Sequence, residues 1–168
     1  MDYLYFPLNS SLSQPLNKVL DIFDLHKNTI NSFNDDNENR RNSDAVLRVL
    51  TPDLESAGYI VEKSKKSHDK IAFVYSDDLV LLKFEADAFN QQHKIAIEVE
   101  AGRAWDNKQF LKDIFEACLI DDIEYMVVAV RMLYRGRNDF DRVSSWLRAI
   151  YSSNKIKLSF KGLLLIGY

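Results

Sequence analysis

A change of hydrophobic period at Gly58 constrains this fold more than any other feature of the chain. Before it, apolar residues recur at helical spacing: Leu16, Val19, Leu20, Phe23 and Ile30 predict a helix over 13–33, and Val46, Val49, Leu50, Leu54 and Ala57 predict a second. Ser13 is placed to cap the first, with Pro15 in its first turn, and Gly58 to end the second, where Pro52 predicts a kink or Thr51 a fresh cap. After Gly58 the pattern becomes strand-like over 59–62, 71–75, 79–89 and 94–100. Then follow a helix carrying Phe110, Leu111, Ile114, Phe115 and Cys118, with Asp106 and Gln109 in capping-box form, and an apolar run over 125–131 suited to a buried strand. A helix over 139–151 and a last strand over 162–167 close the chain. Antiparallel pairs leading into helix-connected strands predict one α/β domain, a mixed central β-sheet flanked by helices.

At 168 residues the chain has the size of one domain with a substantial core. The polar run 34–42 reads as a linker, dividing an N-terminal helical segment, 1–42, packed on or beside the core, from an α/β core over 43–168. The apolar runs at 126–130 and 163–166 are far shorter than the ~20 residues a membrane helix needs. A single cysteine, Cys118, excludes an internal disulfide, and the N-terminus lacks a basic patch followed by an apolar stretch, so a cytoplasmic protein is expected. Net charge is −3, unevenly spread: from Arg131 onward eight Lys/Arg face two acids, giving +6 there and −9 before it. A polyanion, if bound, is expected on the later part; solvated helix and loop faces are the alternative.

The stretch 83–100 carries the chemistry. With Gln91 and Gln92 as a two-residue turn, Phe84 faces Val99, Ala86 faces Ile97 and Ala88 faces Ile95, a wholly apolar core face. The period of two then gathers Glu85, Asp87, Glu98 and Glu100 on the other face. Like charges opposed on a sheet repel, and a hard divalent cation offsets the repulsion, because Mg²⁺ takes one or two carboxylates together with water and phosphate oxygens. A solvent-facing acidic surface paired with lysines elsewhere is the other reading.

Asp87, followed eleven residues later by Glu98-Val99-Glu100 at the end of an apolar strand and then by a helix and another apolar strand, resembles the PD-(D/E)XK nuclease superfamily. That resemblance implies a restriction endonuclease-like αβββαβ core, matched from Asp44 to Arg131, with an extra N-terminal helix. It implies hydrolysis of phosphodiester bonds in DNA with Mg²⁺ or Mn²⁺: the metal lowers the pKa of a water, orients it and stabilises charge on phosphorus. Asp87 and Glu98 match the metal-binding acids. Glu100 stands where most members have Lys, as in the E-x-E variant of some type II restriction enzymes. It would accept a proton from the attacking water or hold a second metal; alternatively Lys108 or Lys112 would supply the missing cation, or the substitution marks a member that binds nucleic acid or a partner without cutting. Glu55 matches a position where many relatives carry a further metal-ligating Glu, a surface salt bridge being the alternative, and Arg103 would reach the scissile phosphate. Cutting both strands of a duplex usually needs two sites, so a homodimer is expected, with the N-terminal helix as dimer or DNA-contact element.

Other residues read more simply. His26, His68 and His93 lack zinc-ligand spacing, and His93 serves the turn. Cys118 lies on an apolar stripe, Ser144 and Ser145 have no His or Gly-rich elbow nearby, and no phosphate-binding glycine loop exists. Trp105 and Trp146 pack under the sheet or anchor an interface, packing being expected for Trp146.

Overall fold

The computed structural model describes residues 1–34, 42–62, 72–76, 79–102, 104–105, 108–153 and 155–168. Helix α1 (Gln14–Leu25) starts after an extended Ser13, whose hydroxyl makes no capping bond, and buries Leu16, Val19, Ile22 and Phe23. The expected helix over 13–33 is interrupted. It leaves helical geometry at His26, continues as the short α2 (Lys27–Ile30) and ends in a 3₁₀ turn over Ser32–Asn34. Tertiary contacts decide the break: His26 Nε2 lies 2.7 Å from Asp53 Oδ2, and buried Ser32 donates to the Tyr168 carbonyl at 2.6 Å.

Helix α3 (Ser43–Ser56) is capped by Asn42, whose side chain accepts the Ala45 N–H at 2.9 Å. It runs unbroken through Pro52, and Thr51 donates to the Leu47 carbonyl instead of capping a new segment. At its end Gly58, with φ +85°, donates to Glu55, and Tyr59 donates to Leu54, a Schellman closure that turns the chain into strand. The strands are β1 (Asp2–Phe6), β2 (Ile60–Val61), β3 (Ala72–Ser76), β4 (Leu79–Phe84), β5 (Ala88–Asn90), β6 (Ile95–Glu100), β7 (Tyr125–Val130) and β8 (Gly162–Gly167), with α4 (Gln109–Cys118) and α5 (Asp139–Ser153) between the last three. Six form one mixed sheet in the order β1-β8-β7-β6-β5-β2, while β3 and β4 form a separate antiparallel ribbon. β6, β7 and β8 are parallel neighbours joined through α4 and α5, and the remaining pairs are antiparallel.

Both faces of the sheet are covered. Leu16 and Phe23 of α1 and Leu50 and Leu54 of α3 pack with Ile95, Ile97, Val127 and Leu164; Phe110 and Ile114 of α4 and Leu147 of α5 pack with Ala96, Met126, Val128 and Leu165. This explains why β7 and β8 read as continuous apolar runs. Sequence periodicity marked no element over 1–12, yet β1 is a sheet strand paired with β8 from Asp2↔Gly167 to Phe6↔Leu163.

The hairpin differs from its expected form. The run 79–89 breaks at Glu85–Asp87 into β4 and β5, the connection to β6 has four residues, and the pairs are Ala88↔Ile97, Phe89↔Ala96 and Asn90↔Ile95. Asn90 sets this register: buried, it accepts the His93 N–H at 2.9 Å and donates to the Ala57 carbonyl at 3.1 Å, closing a wider turn. Ala88, Ile95, Ile97 and Val99 still share one core face, but Phe84 and Ala86 lie in the core on the opposite side, with α4. Trp146, expected to pack, is 41% exposed on α5.

Candidate functional site: an acidic cleft between the sheet and α4

Asp87 stands in the bend just before β5, where its Oδ2 accepts the Val99 N–H at 2.7 Å. Glu98 and Glu100 follow Ala96 on the α4 face of β6, and Glu98 is 9% exposed. Helix α4 crosses this face with Gln109, Lys112, Asp113 and Glu116, which together with Glu85, Glu98 and Glu100 line an open cleft of about 390 Å³. Gln109 donates to Asp113 Oδ1 at 3.0 Å; Lys112 Nζ donates to Glu116 Oε2 at 3.0 Å and lies 3.9 Å from Asp113 Oδ1.

Crowded, desolvated carboxyls hold protons. Burial pushes Asp87 up to about 7, against the Val99 N–H and with help from Glu62, Asp113 and Asp44. Glu98 is driven well above the ordinary glutamate range by burial first and then by Asp87, Asp113, Glu100 and Glu62. Asp113 is raised by burial, partly offset by hydrogen bonds with Glu100 and Gln109, and the Glu100–Asp113 bond between two carboxyl groups needs a proton between them. Glu98 Oε1 is buried and has no hydrogen-bond partner among the described residues. Among the described residues, no three His, Cys, Asp or Glu side chains are already grouped to hold a metal ion.

The structure thus brings Glu98 and Glu100 into one cleft, with Asp87 electrostatically in contact with Glu98. It distinguishes the two lysines. Lys112 lines the cleft, whereas Lys108, at the head of α4, places Nζ 3.3 Å from the centroid of the Trp105 ring. Glu55 is exposed on α3 and is not part of the cleft lining. Arg103, Asp106 and His68 lie outside the described residues. Asp113 and Glu116 were not singled out in the sequence; the available signal was an acid set beside the apolar stripe Phe110, Ile114 and Ala117, and so carried toward the sheet. The hydroxyls of Ser144 and Ser145 donate to the Asp141 carbonyl. Comparison of the chain with protein-family models, with curated proteins and with solved structures gives no match.

Proposed function

We propose that this protein is a metal-dependent phosphodiesterase acting on DNA, with a restriction endonuclease-like core and an E-x-E form of the PD-(D/E)XK site. The observation that carries the reading is Glu98, a buried carboxyl with one oxygen unpartnered among the described residues, on a cleft lined by four further acids. Each unsatisfied buried acceptor and each added like charge costs stability, so a fold that keeps them together gains where a cation can enter. The succession α3, strands, α4, β7 supports the reading.

Asp87, Glu98 and Glu100 would hold Mg²⁺ or Mn²⁺, hard cations suited to oxygen donors. When bound, such an ion supplies an activated water at neutral pH and stabilises charge on the phosphoryl oxygens. The chain's own part is to present the acids from stiff elements: the Val99 N–H fixes Asp87, and β6 fixes Glu98 and Glu100. Lys112 supplies the cation that Glu100 replaces in the motif, held at the cleft wall by Glu116. The Glu at position 100 favours a second reading, a module on the same fold that binds nucleic acid without cutting it.

Incubation with supercoiled plasmid and Mg²⁺ or Mn²⁺ separates the two. Nicking that needs the metal and disappears in Asp87→Ala and Glu98→Ala is expected, together with a metal-induced rise in melting temperature that Asp87→Ala loses. Equal plasmid integrity in all three proteins with no metal-induced shift would refute the nuclease reading.

A further inference from the structure

The loops at the C-terminal ends of β6 and β7 carry a second feature, outside the acidic cleft. Tyr134 and Arg137 exchange backbone hydrogen bonds at 2.8 and 2.9 Å around the two-residue tip Arg135-Gly136. Both tip residues have positive φ, +49° and +75°, a pair of values that selects Gly, Asn or Asp. Arginine at the first of them is a conformational cost that the turn does not require. The tip faces open space, since a Cβ on Gly136 would meet no atom within 4 Å.

The guanidinium carbons of Arg131, Arg135 and Arg137 lie 5.9, 5.2 and 5.7 Å from the centroid of the Tyr134 ring. A second ring, Trp105, carries Lys108 at 3.3 Å and Arg142 at 5.2 Å. The Tyr134 ring is seated against Gly102, where any Cβ would collide with it. Gly102 follows Glu100 by two residues and Arg131 follows Val130, the register partner of Glu100, so this basic surface begins where the acidic strand ends. Arg131 itself is buried.

We propose that Lys108, Arg135 and Arg142 form a rigid cradle for the phosphates of duplex DNA, beside the acidic cleft. Stacking a cation on a ring fixes its direction and leaves its N–H groups free to meet an anion. A base stacking on Trp105 or Tyr134 would have to displace a cation, so the surface suits a backbone and not the splayed bases of a single strand. This inference deepens the nuclease reading by naming the form of the substrate.

Its test is metal-free. In EDTA, fluorescence anisotropy of a short labelled duplex is measured over a salt series for the wild type, for Arg135→Gln/Arg142→Gln and for the control Lys155→Gln/Lys157→Gln. The first pair is expected to weaken binding and to lower the slope of log affinity against log salt by about two, at roughly 0.9 per phosphate contact, while the control pair leaves it unchanged. A single strand of equal length is expected to bind more weakly than the duplex. Melting curves confirm that each variant folds. Equal slopes for both pairs, tighter binding of the single strand, or no binding by the wild type at low salt would overturn the cradle. Duplex binding of the expected kind without metal-dependent nicking would sink the nuclease reading alone.

Discussion

Asp87 keeps a proton at pH values where an exposed aspartate has lost it. Its folded-state pKa is raised from 3.8 to about 7, so between those values the native protein binds a proton that the unfolded chain has released. Stability carried by this group is therefore complete below about pH 4 and is lost as pH rises through about 7. Urea midpoints taken in EDTA are expected to fall from about pH 5 to about pH 7, and the fall should be shallower in Asp87→Asn, which can still accept the Val99 N–H. Glu98 is raised too and retains part of the slope. Parallel profiles for the two proteins would show that Asp87 ionises normally. The same residue shows how far local pattern reaches. Alternation identified Asp87, Glu98 and Glu100 as acids set apart from an apolar face, but it gave no measure of their burial, which depends on α4.

At the scale of elements, most of the helices and strands follow from period and capping. The Gly58 stop, the apolar runs of β7 and β8 and the stripe of α4 each became the expected element. Pro52 does not end α3, which is held through it by Leu47, Leu50 and Leu54 in the core. The missing N–H leaves the Arg48 carbonyl without its helical donor. Pro52→Ala is thus expected to stabilise the protein by about 1–3 kcal/mol, seen as a higher urea midpoint at unchanged m-value. A lower midpoint would mean that the proline ring packs productively. The hairpin is where element-level reading fell short, since a four-residue turn closed by Asn90 replaced the two-residue one.

Over the whole molecule, the two ends of the chain close the fold. β1 pairs with β8, and Ser32 donates to the Tyr168 carbonyl while accepting the Leu133 N–H at 3.1 Å, so the N-terminal segment, the C-terminus and the loop leading to Tyr134 meet at one hydroxyl. Ser32→Ala leaves buried partners unsatisfied and is expected to cost about 1–3 kcal/mol in a single cooperative transition, with far-UV CD and tryptophan fluorescence reporting the same midpoint. Separate midpoints would show the N-terminal segment unfolding by itself. Tyr168 also donates to the Glu100 carbonyl at 3.2 Å, which ties the last residue of the chain to the acidic strand.

By itself the sequence determined the class of fold, the succession of elements from α3 to β8 apart from the break of 79–89 into β4 and β5, and the acids of β6, because periodicity and capping are local and act over a few residues. Only the tertiary structure decided that β1 completes the sheet, that Phe84 and Ala86 face away from Ala88, and that Asp113 and Glu116 join Glu98 in one cleft. Those outcomes depend on which surfaces cover the two faces of the sheet. That is set by packing between segments far apart in the chain, and an alternating pattern reads the same whether its polar side meets water or the flank of a helix.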